Sequence, residues 1–137
     1  MEEVAFDHAS AHHRAMRLLV VEDDAAIRHL VDRSLTARGH NVLAATNATE
    51  MTALLLDFPD APDLALLDIM LPGMSGLEFA SQIKRQFPKI RLAFMTGWFD
   101  SHKVAEAECR GRLLIKPFSL SQLLEVIESG GSSVDRI

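Results

Sequence analysis

Residues 63–87 read DLALLDIMLPGMSGLEFASQIKRQF, and the order of features inside them decides the fold. Asp63-Leu64-Ala65-Leu66-Leu67 is a mostly apolar run too short for a helix and without alternation of sides. It reads as a strand buried on both faces. The run leads directly into Asp68. Leu71-Pro72-Gly73-Met74-Ser75-Gly76 then has the composition of a turn. Leu77, Ala80, Ile83 and Phe87 recur at helical spacing, and Pro88 stops the helix they mark. A buried strand, a turn and an amphipathic helix form one unit of a parallel sheet.

The same unit recurs on either side. Leu18-Leu19-Val20-Val21 is a buried strand, and Asp24 stands where a helix N-cap belongs. Ile27, Leu30, Val31 and Leu35 give the next helix its apolar face, and Gly39 is placed to end it in a left-handed conformation. Val42-Leu43-Ala44-Ala45 is a second strand, followed by a short helix capped by Thr49 and carrying Met51, Leu54 and Leu55. Pro59 and Pro62 punctuate the return. Beyond the central unit, Arg91 to Met95 is a fourth strand ending at Thr96-Gly97. A short polar helix is expected from Ser101 to Glu108. Leu113-Leu114-Ile115 is a fifth strand ending at Lys116-Pro117. Ser119 caps a last helix with Leu120, Leu123, Leu124 and Ile127 on one face, closed by Gly130-Gly131-Ser132-Ser133. Five strands alternating with five helices predict a parallel sheet with helices on both faces and right-handed crossovers.

Composition bounds the function. The 137 residues fit one domain, expected over residues 16–130, with a polar extension at 1–15 and a tail at 131–137. The extension carries His8, His12 and His13. Adjacent histidines converge poorly, so metal binding by His12-His13 is not expected. Apolar residues make up 48%, so the chain can bury a core without a staple. Lys+Arg is 14 against Asp+Glu 19, a net charge of −5 that speaks against a general phosphate-backbone binder. The single cysteine, Cys109, fits a reducing, cytoplasmic setting. No membrane span and no secretory leader is read.

In a parallel α/β sheet, ligands bind beyond the carboxyl ends of the strands. Those ends carry Glu22-Asp23-Asp24, Asp68, Thr96-Gly97 and Lys116-Pro117. Clustered carboxylates repel, and a fold tolerates them best around a cation. A few carboxylates with room for water and phosphate oxygens suit Mg²⁺. A lysine and a threonine beside them would serve a phosphoryl group.

Taken together, these pieces resemble the receiver domain of the two-component response regulators. The matching stretches are Leu18 to Asp24, Leu66 to Gly76, Met95-Thr96-Gly97 and Ile115-Lys116-Pro117-Phe118, within about residues 16–130. The resemblance implies a doubly wound, flavodoxin-like three-layer sandwich with strand order 2-1-3-4-5. It implies Asp68 as phosphoacceptor and Mg²⁺ ligand, Asp23 as a direct Mg²⁺ ligand, Glu22 as a ligand through water and the Met70 backbone carbonyl as a further ligand. Thr96 would bind a phosphoryl oxygen, Lys116 would pair with Asp68 and the phosphoryl group, Gly97 would leave room for it, and the bond before Pro117 would be cis. The partners implied are a sensor histidine kinase or a histidine phosphotransfer protein, which would dock near Ile27, Arg28 and Val31. A stand-alone regulator acting through protein contacts is expected, with no DNA binding, and a homodimer through the fourth helix, fifth strand and fifth helix is an option. The alternatives are a phosphate-independent interaction module, a fragment of a longer regulator or hybrid kinase, and a Mg²⁺-dependent phosphohydrolase. The last lacks a second aspartate at position 70 and a lid insertion.

Two departures from the family stand out. Leu113 occupies the place of the usual switch aromatic, so it is expected to pack as core unless Phe94, Trp98 or Phe99 substitutes. The stretch from Thr96 to Lys116 is shorter than usual, which predicts a short or displaced fourth helix. Met70 and Trp98 are expected beside the phosphoryl group, where they would slow its hydrolysis.

Overall fold

The computed structural model describes residues 14–58, 60–97 and 101–129. Among the described residues, five strands and five helices alternate. They are β1 (Arg17–Val21), α1 (Ala25–Ala37), β2 (Asn41–Ala45), α2 (Ala48–Leu55), β3 (Leu64–Asp68), α3 (Gly76–Gln86), β4 (Arg91–Thr96), α4 (Ser101–Arg110), β5 (Arg112–Ile115) and α5 (Leu120–Glu128). All pairings are parallel, as the strand and helix alternation predicts, and the sheet order is β2-β1-β3-β4-β5, as the resemblance implies. The register sets Val21 beside Leu67, Asp68 beside Met95 and Thr96 beside Ile115, so the strand ends form one edge.

Alternate strand residues feed two cores, because successive side chains leave a strand on opposite faces. Leu19, Val21, Ala65, Leu67 and Phe94 pack with Met51, Phe79 and Ile83 of α2 and α3. Leu18, Val20, Leu66, Ala93 and Met95 pack with Val31, Leu35, Leu123 and Ile127 of α1 and α5. β3 is buried at all five positions, which explains its unbroken apolar run. Each fully buried leucine contributes about 2 kcal/mol of transfer free energy.

Local chemistry sets the helix ends. Asp24 accepts from the Ile27 N–H, and Gly39 ends α1 at φ +94°, both as expected. Ser119 caps α5 in a reciprocal capping box with Gln122. Ser75 does the same for α3 with Glu78. The cap of α2 is Asn47, not Thr49: the Asn47 side chain accepts from Glu50 N, and Thr49 lies inside the helix.

Three other expectations are corrected. Leu30 and Leu120 are 59% and 56% exposed, because the core-facing stripes run through Val31 and Leu35 and through Leu123, Val126 and Ile127. Val31 is fully buried, so it offers no docking surface. α4 is not cut short at Glu108. It reaches Arg110, whose guanidinium donates to Leu77 O and Ser81 Oγ of α3 and lies 6.0 Å over the Phe94 ring. Tertiary anchors thus replace the apolar periodicity that Arg110-Gly111-Arg112 lacks. Leu113 is half-buried and packs against the α2–α4 core. Trp98 and Phe99, Pro59, the extension with its histidines and the closing glycines lie outside the described residues.

Candidate functional site

The hydrogen-bonded ladder continues one step past several strand ends, and this places the polar residues. Glu22 N donates to Ala45 O, Ile69 N to Met95 O and Lys116 N to Thr96 O. The connection after Asp68 folds back on itself, with Gly76 N donating to Ile69 O and Gly73 at φ +78°. α3 then begins against the end of β3. A Cβ at Gly76 would overlap the Asp68 backbone carbonyl, so only glycine lets the helix start there.

Within this edge, carboxylate oxygens of Glu22, Asp23 and Asp68 come within 4.8 Å of one another. Asp68 is buried at the end of β3. Its Oδ1 accepts from Met70 N at 2.9 Å and its Oδ2 from Lys116 Nζ at 2.7 Å. Glu22 is fully buried, and its Oε2 accepts from Asp24 N at 3.0 Å. Its Oε1 lies 2.6 Å from Lys116 Nζ, off the hydrogen-bonding direction, so that atom has a charge partner and no hydrogen bond. Asp23 is exposed. Thr96 is buried at the last position of β4, and the Lys116–Pro117 bond is cis. Gly97 stands against the Lys116 stem, 3.4 Å from its Cβ to the site a Gly97 Cβ would take.

Two buried carboxylates thus share one ammonium. Burial raises the Glu22 carboxyl from 4.5 to about 7, against the lowering effects of Lys116 and the Asp24 N–H, with the Asp68 charge adding to the rise. For Lys116, burial favours the neutral amine, but the hydrogen bond to Asp68 and the ion pair with Glu22 outweigh it and hold the ammonium above the ordinary lysine value. The donor set is hard, acidic and short of positive charge, and one buried oxygen lacks a hydrogen bond. These are the features a divalent oxygen-seeking cation satisfies.

The structure therefore brings Glu22, Asp23, Asp68 and Lys116 together and sets Thr96 on the same edge. Comparison with known proteins agrees. Residues 18–128 match the response regulator receiver domain family, and the chain belongs to it. It is 33% identical over 111 residues to the DNA-binding transcriptional regulator NtrC of Salmonella typhimurium, covering 80% of this chain and 23% of that one. The chain thus spans less than a quarter of that relative's length. The receiver domain of NtrX from Brucella abortus superposes with a TM-score of 0.71 at 33% identity, covering 80% of this chain and 93% of that one. A CheY-like receiver protein from Methanospirillum hungatei gives 0.73 at 29% identity, covering 83% and 91%. This is a two-component signalling module rather than a conventional enzyme, and its acidic cluster is typical of the receiver Mg²⁺ site. Among the described residues, no helix is long and apolar enough to cross a membrane.

Proposed function

We propose that the chain accepts a phosphoryl group on Asp68 from the phosphohistidine of a sensor histidine kinase or a histidine phosphotransfer protein. The observation that carries this reading is the Asp68 carboxylate itself. It is buried at a strand end, held at one oxygen by Met70 N and at the other by Lys116, with Glu22 and Asp23 alongside.

Glu22, Asp23, Asp68 and the Met70 carbonyl would hold Mg²⁺. The exposed Asp23 suits direct ligation, and the buried, lysine-paired Glu22 suits ligation through water. When bound, the ion supplies charge neutralisation for the entering phosphoryl oxygens. An Asp68 carboxylate oxygen attacks phosphorus, a P–O bond forms, and the P–N bond breaks with its electron pair passing to the imidazole of the donor. Lys116 moves from Asp68 to a phosphoryl oxygen, and the Thr96 hydroxyl donates to another. Gly97, which carries no side chain, leaves the approach open.

The donor would dock over an apolar groove of about 350 Å³ lined by Ile27, Leu30, Gly97, Lys116, Pro117 and Phe118. The groove opens beside Lys116, so a helix seated there would bring its histidine to Asp68. The exposed Leu30 belongs to this surface. We assign residues 16–130 as the receiver unit, acting in the cytoplasm as a stand-alone regulator through protein contacts. A homodimer through α4, β5 and α5 is part of this reading. A receiver within a longer regulator is the second reading, favoured by the length of NtrC.

Intact-mass spectrometry after incubation with acetyl phosphate tests the proposal. One phosphoryl adduct is expected, requiring Mg²⁺ and absent from Asp68→Asn. An adduct that persists in Asp68→Asn would refute it.

A further inference from the structure

We infer that Arg28 is a positioning residue for the acidic site, setting the aim of Asp23 through the backbone; the inference rests on the reading of that site as a Mg²⁺ site. Arg28 lies one turn into α1, half-buried. Its Nη1 donates to Glu22 O at 3.0 Å and also reaches Asp23 O at 3.4 Å. One guanidinium nitrogen thus bridges the carbonyls of the two consecutive residues whose side chains face the cation position.

The bridge matters because nothing else among the described residues aims Asp23. Its carboxylate is exposed and, among the described residues, makes no hydrogen bond or ion pair. Glu22 is different: it is buried, tied to Asp24 N and paired with Lys116. Asp68 is held at both oxygens. Of the three carboxylates, Asp23 is the one that, among the described residues, depends on its main chain for direction, and Arg28 grips that main chain. A grip on carbonyls that removes rotational freedom favours ligand binding by preorganisation.

Arg28 is itself placed by the fold. Its own N–H donates to Asp24 O in the first turn of α1, so the helix start, the loop and the side chain form one closed unit. On the far side its charge reaches Glu50 of α2, a carboxylate held below its ordinary value by the Thr46 N–H and hydroxyl, with Arg28 adding to the effect. The guanidinium is therefore bonded to the loop after β1, with its charge felt at Glu50.

Charge and position make opposite demands, which separates the two roles. A cation near a Mg²⁺ site repels the ion, so deleting Arg28 would tighten binding if its charge were all that mattered. As a positioning residue, its deletion weakens binding. The test is a Mg²⁺ titration followed by amide chemical shifts in the parent, Arg28→Met and Arg28→Lys, with thermal unfolding in EDTA alongside. Arg28→Met keeps the apolar stem and is expected to raise the Mg²⁺ dissociation constant by about three- to ten-fold, the loss of one charged hydrogen bond felt through the loop. Arg28→Lys, which keeps a donor within reach of Glu22 O, is expected to recover at least half of that loss. Should Arg28→Met not fold, Arg28→Gln carries the same expectation, because its shorter arm falls short of both carbonyls. Mg²⁺ binding as tight as or tighter than in the parent, in the folded Met or Gln variant, overturns the inference. A parent that binds no Mg²⁺ refutes the reading of the site on which the inference rests.

Discussion

Glu22→Gln is expected to stabilise the metal-free protein at pH 8 by about 2 kcal/mol. Glu22 is fully buried, and its carboxyl is raised from 4.5 to about 7, chiefly by burial. A rise of that size corresponds to about 3 kcal/mol of cost for holding the charge in the folded state. The glutamine keeps the acceptor for Asp24 N and removes the charge, but its NH₂ group takes the place of Oε1 against the Lys116 ammonium. Hence the expected gain is smaller than the full cost. The sign follows from proton binding. Between pH 4.5 and about 7 the folded protein holds a proton that the unfolded chain has lost. Glu22 therefore lowers metal-free stability as pH rises through that window, and the advantage of glutamine grows with it. Below pH 4.5 both side chains are neutral and the difference closes. Urea unfolding in EDTA across pH 5 to 8 reads this directly, as a midpoint shift of about 1 M at the upper end. Added Mg²⁺ should reverse the order, because the parent keeps the carboxylate the ion needs. A variant less stable than the parent at pH 8 in EDTA, or a difference that ignores pH, would refute the reasoning.

Three further outcomes are expected. Gly76→Ala forces a Cβ into the Asp68 carbonyl, so it should cost about 1–3 kcal/mol in denaturant unfolding and slow phosphorylation by acetyl phosphate. His40→Phe should cost about 2 kcal/mol, read by the same unfolding assay, because buried His40 Nδ1 accepts from Met16 N and its Nε2 meets Glu128 Oε2 at 2.9 Å, joining β1, β2 and α5. Met70→Asn should hasten loss of the phosphoryl group by about ten-fold, measured by adduct decay, on the proposal that methionine there would keep the attacking water out and a polar side chain would orient it. Decay no faster than in the parent would remove that role from Met70.

The strands were legible because their signal is local. β3 shows its four apolar residues to the two cores, and an unbroken apolar run has no other economical reading. The strand-end residues then followed from topology, since every parallel strand delivers its last residue to one edge. What the sequence concealed depends on choices between neighbours. Asn47 and Thr49 are both cap residues, and only the extended backbone at Asn47 decides between them. An Asn three residues before Glu50 was the available signal. Leu30 and Val31 are adjacent leucine-like positions, yet α1 turns one to the groove and the other to the core. Arg110 gave no sign of its anchor on α3, because its partners are a carbonyl and a hydroxyl far off in sequence. The same holds for Arg28, whose partners are main-chain carbonyls, and for Gly76, whose necessity appears only once α3 is packed on β3.

The central claim is that the phosphoryl group resides on Asp68. Borohydride reduction of the protein after acetyl phosphate and Mg²⁺ treatment, followed by peptide mass mapping, tests it at residue resolution. An acyl phosphate is reduced to the alcohol, so homoserine is expected at position 68 and at no other aspartate. Homoserine at Asp23 or elsewhere, with Asp68 unchanged, would contradict the account.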